Sequence, residues 1–241
     1  MASTYSPVAN IYSIQTILAV CAECDYQMDQ LDVGTAFLNS VLTDNAFMET
    51  PLGVNNDQGY ICQQNKAIYG LKQSTRAWNK RIHCVFVRHC FKNCGADPCV
   101  YFKSTNKGLV YVGLYVDDMI IAASTSKEIN QVKGVLKNAF KMKELGKTEF
   151  ILGMDHDRSA GTLMIKQTRY IGDVVKRSGK QNAKSVDNPW ASLLKLLPKQ
   201  TPTTEEERSG MQFKPNRLLI GYLLYITACT GRDIAYVVTQ L

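Results

Sequence analysis

The chain has 241 residues and a mass of 27.0 kDa, enough for one large domain or two small ones and for a core that needs no disulfide staples. Hydrophobic residues make up 45% and charged residues 20%, which excludes long disorder. No apolar run approaches the roughly eighteen residues of a membrane span, and the N-terminus does not read as a secretory signal. Charge is unevenly placed. Residues 1–65 hold seven acids and no Lys or Arg, whereas residues 66–241 hold all 28 bases and the other 14 acids. A basic segment joined to an acidic one points to a polyanionic partner together with something that binds cations. A solvated basic surface is the plainer alternative.

In chain order, Ile11, Ile14, Leu18 and Cys21 recur at steps of three and four, which predicts a helix over 9–25. Residues 26–33 read as a strand ending at Asp32, and Thr35 to Leu38 as a helical turn. Residues 43–66 are rich in Asn, Asp and Gly and read as loop or hairpin. Residues 66–90 place Leu71, Trp78, Ile82, Val85 and His89 on one helical face, with Lys72, Arg76, Lys80, Arg81 and Arg88 mostly elsewhere. Residues 109–123 are two β-rich apolar runs around a tip at Asp117-Asp118. A helix is expected over 127–140, a hairpin around Gly153 and Gly161 within 148–167, and a helix over 169–180. Residues 185–215 read as a linker. Residues 216–241 read as helical, with Leu218, Tyr222, Tyr225 and Ile226 on one side. The mixture predicts an α+β fold with an antiparallel sheet.

The eight cysteines lack a secretory context, so reduced thiols are the default. His83, Cys84, His89, Cys90, Cys94 and Cys99 cluster in sequence without the paired spacing of a structural zinc site, and Cys21-x-x-Cys24 has no matching second pair. Adjacent aspartates between apolar strands are the unusual feature. Such charges are costly unless they are paired or bind a metal. Asp32 closes another strand, and carboxylates from two neighbouring strands can hold Mg²⁺ ions of the kind used in phosphoryl transfer. A surface turn is the bland alternative, against which the flanking Tyr115-Val116 and Met119-Ile120-Ile121 argue. Gly146-Lys147-Thr148 lacks the earlier glycine of a phosphate loop. Asp155-His156-Asp157 reads as a hairpin of alternating exposed residues. Trp78 reads as core, while Trp190 could stack on a base.

Several segments resemble one family. Tyr115-Val116-Asp117-Asp118 resembles the catalytic box of reverse transcriptases. Gln30 to Asn39 is similar to the first catalytic motif of the copia-type retrotransposon enzymes, and Lys66 to Trp78 to their Gly-Leu-Lys-Gln box. Ala96 to Tyr101, Phe140 to Gly146 with Leu152-Gly153, and Leu219 to Tyr225 follow the same pattern in the same order, so the resemblance covers nearly the whole chain.

The resemblance implies a polymerase palm with partial fingers over 1–182, a linker or thumb-like segment over 183–215 and the start of a helical connection over 216–241. It implies RNA-directed DNA synthesis by two-metal transfer to a primer 3′-hydroxyl. Asp32, Asp117 and Asp118 would be the catalytic, metal-binding carboxylates, with two Mg²⁺ or Mn²⁺ ions. Val33, Phe37, Gly70, Lys72 and Gln73 would bind the nucleotide, Phe37 packing under the incoming sugar. Leu152 and Gly153 would hold the primer end. An RNA template, a DNA primer and deoxynucleoside triphosphates would be the partners, inside the cell and within retrotransposon particles, with no membrane. Gly34, Ser40, Thr75, Asn79 and Gly231-Arg232-Asp233 depart from the family pattern, and the upstream finger strands are expected to be missing. The alternative is an inactive remnant that at most binds nucleic acid.

Overall fold

The structure, a computed structural model, describes residues 6–55, 58–147, 150–158, 162–184, 186, 201–212 and 216–240. They gather into two compact units, Met1–Thr148 and Glu149–Leu241.

In the first unit the Asn10 side chain accepts from the Tyr12 N–H at 3.0 Å and starts α1 (Ile11–Glu23). The buried Asp97 carboxylate anchors the same end. It accepts from the Asn10 N–H at 2.8 Å and the Cys99 N–H at 2.9 Å. Strand β1 (Gln27–Val33) and a 3₁₀ turn (Ala36–Asn39) follow as expected. β2 (Phe47–Glu49) and β3 (Ile61–Gln63) pair as a hairpin within 43–66.

Helix α2 (Ser74–Arg88) begins later than the sequence pattern indicates. Gly70 has φ +93° and turns the chain. The Ser74 hydroxyl then donates to the Ile68 carbonyl at 2.6 Å. Leu71 therefore precedes the helix, and His89, past its end, is exposed rather than part of the apolar face. Trp78, Ile82 and Val85 are buried as expected.

β4 (Lys92–Asn93), β5 (Val100–Thr105), β6 (Gly108–Tyr115), β7 (Asp118–Ala123) and β8 (Met142–Lys147) join β1 in an antiparallel sheet of order β4-β5-β6-β7-β1-β8. Alternate residues divide between its faces. Leu31, Val33, Val112, Leu114, Met119 and Ile121 meet Trp78 and Phe86 of α2 and Leu136 of α3 (Ser126–Ala139) in one core. On the other face α1 approaches so closely that a Cβ on Gly113 would lie 2.9 Å from Ile14 Cδ1. Thr125 caps α3, and Glu128 accepts hydroxyl bonds from Ser124 and Thr125 at 3.0 and 2.9 Å. Buried Lys133 ties α3 to the sheet through Asp29 of β1 (2.5 Å) and Glu144 of β8 (2.9 Å).

The second unit holds three strands where one hairpin was expected: β9 (Phe150–Ile151), β10 (Met154–Asp157) and β11 (Met164–Lys166), in the order β11-β10-β9. Leu152 (φ +49°) and Gly153 (φ +73°) form the two-residue turn between β9 and β10, with the paired positive φ of a type I′ hairpin. Gly161 lies outside the described residues. Helix α4 (Thr168–Arg177) is followed by α5 (Glu205–Gln212), inside the stretch expected to be a linker. A capping box starts α5. Glu207 N–H donates to Thr204 Oγ1 at 3.2 Å, and the Glu207 carboxylate accepts from the Thr204 N–H at 3.2 Å. Trp190 lies outside the described residues. α6 (Asn216–Cys229), a 3₁₀ turn (Arg232–Ile234) and α7 (Ala235–Thr239) complete the unit. Ile226 is buried as expected, but Leu218 is 55% exposed.

Candidate active site

The β6–β7 hairpin turns at Val116-Asp117, because Tyr115 pairs with Asp118. Asp118 thus begins β7, and the tip lies one residue earlier than expected. Val116 has φ +56°, as at the first central position of a type II′ turn, where glycine is usual. A β-branched residue there costs about 1–2 kcal/mol. Two bonds hold the turn. Trp78 Nε1 donates to the Val116 carbonyl at 2.8 Å, and the Val33 N–H donates to the Asp117 carbonyl at 2.9 Å.

β1 lies beside β7 with Asp32 opposite Asp118. Directly opposed residues in an antiparallel pair share a face, with Cβ atoms about 5 Å apart. Two carboxylates from distant chain segments therefore meet. On the other side of β1, Asp32 pairs with Lys143 of β8. Tyr115, Asp118, Asp32 and Lys143 form one row across four strands.

Burial, reinforced by the charges of Asp32 and Asp117, pushes the Asp118 carboxyl above the usual carboxylate range, while the Gln30 amide opposes the shift. Gln30 is buried, and its Nε2 lies 3.5 Å from Asp118 Oδ1, at the outer limit of a hydrogen bond. Asp117 accepts from the Tyr69 hydroxyl through Oδ2. Its Oδ1 is buried with no hydrogen-bond partner. Burial, then the bond to Asp117 and the charges of Asp117 and Asp32, push the Tyr69 hydroxyl up to about 12. The Tyr69 ring stands edge-on to Phe37, centroids 4.4 Å apart.

These carboxylates offer only oxygen, the donor type that Mg²⁺ takes. A buried carboxylate oxygen without a partner is costly until a donor or cation meets it, and the raised Asp118 carboxyl expresses the same demand. The donor set fits a divalent cation. As they stand, among the described residues no three His, Cys, Asp or Glu side chains are close enough to enclose one.

The other expected positions fall as follows. The Val33 side chain is buried in the core and offers only its backbone to the site. Phe37 is 5% exposed, covered in part by Tyr69. Gly70, Lys72 and Gln73 form the turn into α2, with Lys72 exposed. Leu152 and Gly153 belong to the second unit. There the Tyr225 hydroxyl donates to the Leu152 carbonyl, and a Cβ on Gly153 would meet the Tyr170 and Tyr225 rings at 3.4 and 3.5 Å. His156, expected among exposed alternating residues, is buried with both ring nitrogens unpartnered, while Asp155 pairs with Arg169. Tyr69 and Gln30 are the residues that sequence reasoning missed. Tyr69 adjoins Gly70 in the Gly-Leu-Lys-Gln segment, and Gln30 precedes Asp32 by two, hence on the same strand face.

A family model described as reverse transcriptase (RNA-dependent DNA polymerase) matches residues 1–192. The chain belongs to the reverse transcriptase family. It is 39% identical over 239 residues to the retrovirus-related Pol polyprotein from transposon TNT 1-94 of Nicotiana tabacum, covering 97% of this chain and 18% of that protein. It is 33% identical over 243 residues to the Pol polyprotein from transposon RE1 of Arabidopsis thaliana, covering all of this chain and 16% of that protein. A transposon Ty5-1 protein of Saccharomyces cerevisiae is 31% identical over 215 residues, 88% of this chain and 68% of that protein. These relatives make this a reverse transcriptase domain of the copia type. The chain spans less than a fifth of the two plant polyproteins. Among the described residues no helix is long and apolar enough to cross a membrane.

Proposed function

We propose that this reverse transcriptase domain extends a DNA primer on an RNA template, using deoxynucleoside triphosphates. The observation that carries this reading is the meeting of Asp32 with Asp118, beside Asp117, from two distant segments. Asp32, Asp117 and Asp118 are the catalytic residues and would hold the metals. Two bound Mg²⁺ ions, or Mn²⁺ in their place, would activate the primer 3′-hydroxyl and steady the charge on the leaving pyrophosphate. No side chain acts as nucleophile, so the protein's part is positioning. Phe37 supports the sugar and leaves no room for a 2′-hydroxyl. Gly70, Lys72, Gln73 and the Val33 backbone border the nucleotide, and Leu152 and Gly153 hold the primer end. Residues 1–182 act as palm and partial fingers, 183–215 as a thumb-like segment and 216–241 as the start of a helical connection. The setting is intracellular, within retrotransposon particles.

Primer extension on an RNA template with Mg²⁺ tests this. Wild type should extend well above Asp117→Asn, and equal extension ends the proposal. A second reading, an inactive remnant that binds nucleic acid, draws on the absence of an enclosed acidic triad among the described residues. It stands if neither protein extends while both bind an RNA–DNA hybrid with salt-dependent affinity.

A further inference from the structure

The turn between β9 and β10 has a shape that so short a hairpin does not hold by itself. Leu152 stands at its first central position with φ +49°. Asparagine, aspartate or glycine is usual there, because a larger side chain's Cβ crowds the following carbonyl. The ladder behind the turn is brief: β9 has two residues, with Ile151 paired to Met154 and Phe150 to Asp155. A two-stranded hairpin alone is marginal in water.

Two side chains from later helices supply the hold. The Tyr225 hydroxyl of α6 donates to the Leu152 carbonyl, which belongs to the peptide group at the middle of the turn. The Tyr170 ring of α4 and the Tyr225 ring stand edge-on, centroids 5.2 Å apart. They close over Gly153, where a Cβ would meet them at 3.4 and 3.5 Å. Tyr225 is itself anchored, because Ile226 and Cys229 beside it on α6 are buried. The rings fill the space over Gly153, and the hydroxyl fixes where the Leu152 carbonyl points. A backbone in a sparsely populated conformation persists when its surroundings over-determine it, and such places gather at functional sites. Helix α6 lies beyond residue 192, where the family match ends.

We infer that Tyr225 is a positioning residue for primer extension: its hydroxyl latches the Leu152-Gly153 turn in the shape that receives the primer end, which makes α6 part of the polymerising unit. The role rests on the reading of Leu152 and Gly153 as the primer hold; the latch itself does not.

The test compares the full wild-type chain with Tyr225→Phe, which keeps the ring and loses the oxygen, and with Tyr236→Phe, at an exposed tyrosine of α7 in the same unit. Amide hydrogen exchange reads the latch without turnover. The peptide over 150–157 should exchange about three- to tenfold faster in Tyr225→Phe, the weight of one neutral hydrogen bond, with α4 and α6 unchanged. Single-nucleotide extension of a DNA primer annealed to RNA reads the role. The kcat should fall by the same factor while KM for the hybrid and Tm hold, because the primer is still bound but less often placed. Tyr236→Phe should match wild type in both assays. Unchanged exchange at 150–157 overturns the inference and, if extension is normal, leaves the polymerase reading in place. Faster exchange spread over α4 and α6, or a fall in kcat that Tm follows, also overturns it, since either marks an ordinary packing residue. Faster exchange with kcat unchanged overturns the role. If wild type itself does not extend, the polymerase reading fails and takes the role with it, and exchange at 150–157 alone decides the latch.

Discussion

Replacing Tyr69 with Phe removes one oxygen and leaves the ring in place against Phe37. That oxygen donates to Asp117 Oδ2, one of the carboxylate atoms proposed for cation binding. A cation that takes up Asp117 must displace the hydroxyl. Hydrogen bonds to charged acceptors are worth about 1.5–3 kcal/mol, but Tyr69 is 56% exposed and water competes for the bond. The discounted cost is about 1 kcal/mol. Tyr69→Phe should therefore tighten Mn²⁺ binding about fivefold. The assay is an electron paramagnetic resonance titration of Mn²⁺ on the chain alone, which needs neither template nor turnover. Tyr69→Ala should show the same gain together with a lower Tm, because it also strips the ring from Phe37. Equal or weaker Mn²⁺ binding in Tyr69→Phe refutes the reasoning, since the hydroxyl would then not be competing for the carboxylate.

Asp118→Asn should raise Tm near neutral pH while abolishing extension. The raised folded-state pKa of Asp118 means that its charge costs stability above that pKa, a cost relieved as pH falls through it. The gain in Tm should therefore vanish as pH approaches the ordinary carboxyl value of 3.8, and a gain that persists there counts against the assignment. Asp32→Asn should also stop extension with Tm unchanged or higher, because it removes a like charge beside Asp118; a marked fall in Tm would make Asp32 a structural residue. Lys133→Met strips the cation from Asp29 and leaves Glu144, whose carboxyl Lys137 and Lys133 hold down to about 2, with Lys137 alone. It should cost about 1–3 kcal/mol in urea denaturation, and an unchanged midpoint rejects the tie. His156, buried and unpartnered, has its pKa pushed below 6.5 by burial. Above 6.5 the imidazole is neutral in both states, and stability is lost as pH falls below 6.5 toward the folded value, where only the unfolded chain takes up the proton. Tm should drop as pH falls below about 6.5 in wild type and drop less in His156→Gln; equal drops refute the role.

Periodicity exposed most of the elements because their apolar faces are regular. β1, β6, β7 and α3 stand within a residue or two of where the apolar runs and the helical spacing place them. The misplacements have local causes. The hairpin tip was displaced because turn rules look for glycine at positive φ, and Val116 occupies that position. The start of α2 was missed because helical spacing reads straight through Leu71, whereas Gly70 and the Ser74 hydroxyl close a turn there. His156 sits in a polar alternation that says nothing of what packs over the strand.

The site was legible to the extent that its charges are costly. Adjacent aspartates between apolar runs demand a reason, and Asp32 at a strand end supplies a partner. Tyr69 and Gln30 carry no such cost in sequence. Tyr69 lies 48 positions from Asp117, and Gln30 lies 88 from Asp118; the turn before α2 brings the first pair together, and the pairing of β1 with β7 the second. That pairing is set by residues without chemistry. Leu31 and Val33 share a core with Met119 and Ile121 and fix the register of β1 against β7. A slip of one residue would turn Asp32 into that core and lift Leu31 out of it. The carboxylate row is thus a consequence of apolar alternation, and a substitution that weakens the alternation should disperse the site without touching an acid.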